Sequence, residues 1–143
     1  MVVSKLDAAR VQIDCAIEHF FNNNHICAVT LAGAAEDILG GLLQASGEQS
    51  SFEFLHAWYQ ETYETTVPRK DFSRQMVNAA RNWLKHAEED AESKYDILEQ
   101  DSILMLMRAM PCYYKLTKSH TKQMDRFFQY VRVNLEKINA LFS

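Results

Sequence analysis

A chain of 143 residues is long enough for one domain with a core of its own. At 48% hydrophobic and 24% charged residues, with a net charge of −4, it is not a disordered polymer, and its charge argues for neither nucleic acid nor membrane as a default partner. Four glycines and two prolines leave little material for the closely spaced turns of a β-sandwich or barrel. The expected class is therefore all-α: a single domain over residues 1–143, folded as an up-and-down bundle of five to six helices.

Apolar periodicity places the helices in chain order. The first spans about 5–22, with Leu6, Ala9, Ile13, Ala16, Ile17 and Phe20 on one stripe, and ends at Asn22-Asn23-Asn24. The second, about 26–45, is apolar nearly all round, as a central helix should be. Its small residues Ala28, Ala32, Gly33, Ala34 and Ala35 let neighbours approach closely. Its one interruption by adjacent carboxylates, Glu36 and Asp37, makes a membrane span costly, so a buried helix is expected. Ser50 or Ser51 is the expected N-cap of a third helix with Phe52, Leu55, Trp58 and Tyr59 inward. After Val67-Pro68 a fourth helix, about 69–87, buries Phe72, Met76, Ala79, Ala80 and Trp83. A fifth follows over about 95–118, with a kink or break expected near Met110 because Pro111 lies inside it. The sixth, about 122–142, carries Phe127, Val131, Leu135, Ile138 and Phe142.

The amino-terminal residues contain no apolar signal core, and the odd set Cys15, Cys27 and Cys112 has no zinc-like spacing. A reducing, cytoplasmic setting is expected, with no membrane partner. Cys15 and Cys27 fall on apolar faces and read as small hydrophobes.

Residues 81–86 read Arg-Asn-Trp-Leu-Lys-His, an Arg followed by a polar residue with a His five places on. This motif resembles the signature of the HEPN (higher eukaryotes and prokaryotes nucleotide-binding) superfamily. The resemblance covers these six residues and the helical class. It implies an HEPN-like bundle, commonly a homodimer. Many such domains are metal-independent endoribonucleases of toxin–antitoxin, phage-defence or RNA-processing systems, with a site combining Arg and His from both subunits. Carried over, Arg81 and His86 are the catalytic pair and Asn82 the polar residue beside them, with no cofactor, with RNA or a nucleotide as substrate, and with a protein such as an antitoxin as a further partner. The chemistry is coherent: histidine moves a proton near neutral pH and arginine offers a planar cationic fork to phosphate. Positions five apart on one helix are nevertheless turned by about 140°. Convergence of Arg81 and His86 thus needs a helix end nearby, or a second subunit. The acidic run Glu88-Glu89-Asp90-Ala91-Glu92 fits a helix end there and opposes phosphate.

Other groupings compete with this one. Lys115, Lys118, Lys122 and Arg126 form a basic stripe if one helix carries them, a candidate phosphate-binding surface; a helix boundary near Ser119-His120 breaks it. Glu36 and Asp37 need partners for whichever carboxylate turns inward, with Arg81, Lys85 or His86 as candidates. A metal site from His86, Asp90 and Glu36, joined by Glu18 or His19, is a weaker alternative. The competing function is a non-catalytic helical domain that binds a protein or a small ligand.

Overall fold

The chain is described by a computed structural model that covers residues 1–86 and 92–143, leaving aside the side chains of residues 75 and 76. All the described regular structure is helical: α1 (Lys5–Phe21), α2 (His25–Ala45), α3 (Ser51–Thr62), α4 (Arg69–Phe72), a π-helical turn (Ser73–Val77), α5 (Ala79–Lys85), α6 (Glu99–Thr117), α7 (Lys122–Val133) and α8 (Leu135–Leu141). The expected Met76 contact and the acidic positions 88–90 lie outside the described residues.

Helix starts follow local chemistry. The hydroxyl or amide oxygens of Ser4, Asn24, Ser50 and Thr121 accept backbone N–H bonds from Asp7, Cys27, Glu53 and Met124, satisfying donors that the first turn leaves open. α2 lies at the centre against α1 and α6, and α7 closes the bundle on α1. Ala9, Ile13, Ala16 and Ile17 of α1 meet Ala28, Val29, Ala32, Ala35 and Leu39 of α2, Leu106 and Met110 of α6, and Met124 and Phe127 of α7 in one core. α2 is long and apolar enough to cross a membrane by length and composition, yet half of its most apolar stretch is buried within the bundle. A second, smaller cluster joins α3 to α4, where Phe52, His56 and Phe72 pack ring on ring.

Two expected helices are divided, so six segments become eight α-helices among the described residues. In the fourth, the Asn78 N–H bonds the carbonyl of Ser73, an i to i+5 step, and the Asn78 side-chain amide donates to Ser73 Oγ at 2.8 Å. The extra residue turns everything after it by about 100° relative to an uninterrupted helix. Ala80 and Leu84 therefore face the core, and Trp83, expected inside, is 37% exposed. The sixth divides at Asn134, whose backbone N–H and side-chain amide both donate to the carbonyl of Tyr130. Leu135 and Phe142 are exposed.

Two further expectations need correcting. Of the kink or break expected near Met110, the break is absent: α6 stays helical through Pro111, and the carbonyl that the missing N–H would have served belongs to Met107, on the exposed side where water can serve it. Cys15 is exposed rather than packed, because α1 buries the neighbouring stripe through Ile13, Ala16 and Ile17; Cys27 is half-buried and Cys112 buried.

Candidate functional site

The chemistry concentrates where α2, the π-turn, α5 and α6 meet. Glu36 and Arg108, 4% and 3% exposed, form a buried ion pair in which Nε and one terminal nitrogen of Arg108 both donate to Glu36 Oε1, at 3.1 and 2.8 Å. The other terminal nitrogen donates to the carbonyl of Val77 and to Asn78 Oδ1, each at 2.8 Å. A π-turn frees a carbonyl from the helical ladder, and Arg108 takes it. The guanidinium thus holds α2, the π-turn and α6 together. Burial pushes the Glu36 carboxyl up from its ordinary value, against the pull of Arg108, and pushes Arg108 down, against the pull of Glu36. Both directions say that desolvation outweighs the mutual attraction, as is common for buried pairs.

Asp37, one residue on, turns to the surface. Arg81 grips both of its oxygens from one terminal nitrogen, at 2.8 and 2.7 Å, and Lys85 approaches at 3.6 Å. The expected candidates Arg81 and Lys85 are therefore partners of Asp37, while the inward carboxylate, Glu36, goes to Arg108. Gly33 makes this possible: a Cβ there would come within 2.6 Å of Arg81 Cδ and 3.0 Å of its Cγ. Gly33→Ala is accordingly expected to lower the thermal midpoint, since overpacking typically costs about 1–3 kcal/mol against the roughly 1 kcal/mol of helix propensity gained. In an Asp37→Ala background, where Arg81 is released to move, the same change should raise the midpoint instead.

Arg81 and Lys85 are four apart and share the face of α5 that looks at α2. Asn82 and His86 are likewise four apart and share the next face, which opens on a groove of about 920 Å³. Arg69 and Lys70 line this groove, with Trp83 and Tyr95 stacked at a 6.0 Å centroid separation and 29°. Trp83 is fixed by its indole N–H, which donates to Ser93 Oγ at 2.8 Å. His86 is the exposed C-cap residue of α5 and donates its backbone N–H to the carbonyl of Asn82. Arg81 does not line the groove; it belongs to a smaller cavity on the α2 side. The helix end near His86 is present, but it does not bring Arg81 and His86 into one cavity.

The remaining candidates are dispersed. A turn through Lys118, which adopts a left-handed conformation with φ 56°, separates α6 from α7, so the four basic residues do not share one helix. Lys115 donates to the carbonyl of Gln49, Lys118 sits 5.9 Å over Tyr114, and Arg126 pairs with Glu18 while covering Phe21. Lys122 is exposed at the start of α7. For the metal alternative, Asp90 lies outside the described residues, Glu36 is committed to Arg108, Glu18 is committed to Arg126, and Glu36 and His86 line different cavities.

Arg108 and Asn78 were not singled out from the sequence, although Arg108 sits amid the apolar run Met105 to Met110, where an unpartnered cation would be intolerable. Arg69, Lys70 and Tyr95 carry no local signal; Arg69 and Lys70 reach the groove through the turn that joins α4 to α5, and Tyr95 from the segment that precedes α6. Set against known proteins, this chain matches no family model, no curated protein and no solved structure.

Proposed function

We propose that this chain is an HEPN-like domain that binds RNA in the groove beside α5 and cleaves it without a metal, using His86 with Asn82. The supporting observation is that Asn82 and His86 open on one groove with three cations, Arg69, Lys70 and Arg74, and an exposed Trp83. Cations on a groove wall gather phosphates, and an exposed indole accepts a stacked base. In the reaction, His86 takes the proton of a ribose 2′-OH as that oxygen bonds to phosphorus, the bond from phosphorus to the 5′-oxygen breaks, and the leaving oxygen takes a proton from water, leaving a 2′,3′-cyclic phosphate. Arg81 enters as a positioning residue: its bond to Asp37 fixes the orientation of α5 and so the direction of Asn82 and His86. A homodimer, a protein partner such as an antitoxin, and a cytoplasmic setting belong to this proposal on the resemblance alone.

The engagement of Arg81 by Asp37 favours a second reading, in which the same groove binds RNA or a nucleotide and does not cut it. Both are tested by incubating a mixed RNA with the wild type and His86→Ala in EDTA, at matched helicity, while binding is followed by tryptophan quenching. The expected result is cleavage that falls about 10²–10⁴-fold in His86→Ala. Binding by both proteins with cleavage by neither would select the second reading. Absence of both binding and cleavage would sink the groove as an RNA site, and equal cleavage by both would remove His86 from the chemistry.

A further inference from the structure

From Ser102 to Tyr114 the chain carries one charged residue, Arg108, and that side chain points inward to Glu36. The inward side of α6 is packed, with Ile103, Leu106, Ala109, Met110 and Tyr113 in the core. The opposite side is apolar too. It presents half-buried Leu104 and exposed Met107, Pro111 and Tyr114, of which Met107 is 37% and Tyr114 45% open to solvent. A surface helix ordinarily sets charged groups opposite its buried stripe, and a helix that is apolar all round is one that something covers. Roughly three and a half turns of α6 lack the charged face.

Spacing along the helix says what kind of cover fits. Gln100, Leu104, Met107, Pro111, Tyr114 and Lys118 follow one another at intervals of four, three, four, three and four. These are the a and d positions of a heptad seam, which packs against another helix. The two ends of α6 say which helix. Its first turn is acidic, with Glu99 and Asp101, and its last turn and cap are basic, with Lys115 and Lys118. An antiparallel copy of α6 sets an acidic end against a basic one at both edges, and the helix dipoles favour the same order. A parallel copy sets like against like. Beside the seam, Ser51 Oγ at the head of α3 donates to the Arg108 carbonyl at 2.7 Å. Leu55 and Trp58, four and seven residues on, share that side of α3, and Trp58 is exposed, so the apolar surface continues there.

We propose that the outer face of α6 is a homodimer interface, in which two copies of this chain pair antiparallel about a two-fold axis midway between Met107 and Pro111. An axis there sets Met107 of each copy against Pro111 of the other, Leu104 against Tyr114 and Gln100 against Lys118. Each contact is made twice, as isologous pairing requires. The Met107 carbonyl, which Pro111 leaves without a helical donor, lies on the seam and is served by interfacial water. One helix pair is a small interface, so a Kd on the order of micromolar is expected. The pairing uses neither His86 nor Trp83, and it stands whether or not the groove takes RNA.

Sedimentation equilibrium of the full chain over about 1–200 µM is the test, a range that brackets a micromolar Kd. A reversible monomer–dimer equilibrium is expected. Met107→Glu should leave a monomer of unchanged helicity, because the new carboxylate sits in water in the monomer and in the seam of the dimer. Gln100→Lys sets lysine against Lys118 at both edges and should weaken the dimer at least 10-fold. Adding Lys118→Glu should restore it, since positions 100 and 118 then attract. In a parallel dimer position 100 meets 100 and 118 meets 118, so the same double variant would stay weak. Lys70→Gln, in the groove, should leave the equilibrium unchanged. A chain that is monomeric throughout overturns the proposal and gives the stripe to a different helical partner. A dimer that Met107→Glu leaves intact overturns it as well, and failure of Lys118→Glu to rescue Gln100→Lys overturns the antiparallel register.

Discussion

Arg108→Met is expected to destabilise the domain by about 3–5 kcal/mol, read as a lower urea midpoint with little change in slope. The size follows from what is left behind. Methionine fills much of the same volume, but Glu36 remains buried without its cation, and the Val77 carbonyl and Asn78 Oδ1 lose their donor at the π-turn. Adding Glu36→Leu removes the stranded charge, so the double variant should be more stable than Arg108→Met alone. It should still fall short of wild type, because the two π-turn acceptors stay unserved. A double variant no better than the single one would mean that Arg108 acts through the π-turn and that its pairing with Glu36 contributes nothing.

The same variant carries a sign that pH reads. Burial raises the Glu36 carboxyl, and Arg108 is the principal group opposing that rise. Without Arg108 the folded-state value climbs further above the unfolded one. An acid with a raised folded pKa gives stability that is fully present below its unfolded pKa and lost as pH rises through the folded pKa. The deficit of Arg108→Met against wild type should therefore be smaller at mildly acid pH than above neutrality. Equal deficits across that range would show that Glu36 is not the group left stranded.

Helical class and most of the core were legible because α1, α2 and α6 bury stripes at ordinary helical spacing. Ile13, Ala16 and Ile17 of α1, for example, fall inside as periodicity expects. Part of what escaped the reading is local: at Asn78, whose side-chain amide donates to Ser73 Oγ, and at Asn134, whose side-chain amide donates to the Tyr130 carbonyl, two helices that look continuous in sequence divide. The first division matters most for the site. It turns α5 so that Trp83 faces out, Asn82 and His86 face the groove, and Arg81 faces Asp37. A six-residue motif specifies none of this, because direction around the helix axis depends on one inserted residue upstream. Glu36 was recognised as a group needing a partner, but its true partner, Arg108, lies 72 residues away. Only the packing of α2 on α6 brings them together.

If the groove beside α5 receives RNA, the salt dependence of binding should report it. Each phosphate contact to single-stranded nucleic acid contributes about 0.7 to the slope of log affinity against log salt. Neutralising Arg69 and Lys70 together, as Gln, should lower the magnitude of that slope by about 1.4 and weaken binding at least 10-fold at low salt. The slope is the better measure. Arg69 also pairs with Glu53 at 2.7 Å and lies 4.7 Å over Phe52, so its loss disturbs local packing as well as charge. A packing defect lowers affinity without removing released counterions, and so leaves the slope alone. Lys118→Gln with Lys122→Gln is the matching control. These residues belong to the competing basic surface where α6 turns into α7, and neither lines the groove. Phosphate bound beside α5 leaves the control slope at the wild-type value. A slope that drops in the control and holds in the Arg69 and Lys70 variant would move the RNA to the α6–α7 turn, outside the groove that Asn82 and His86 line, and would remove their role.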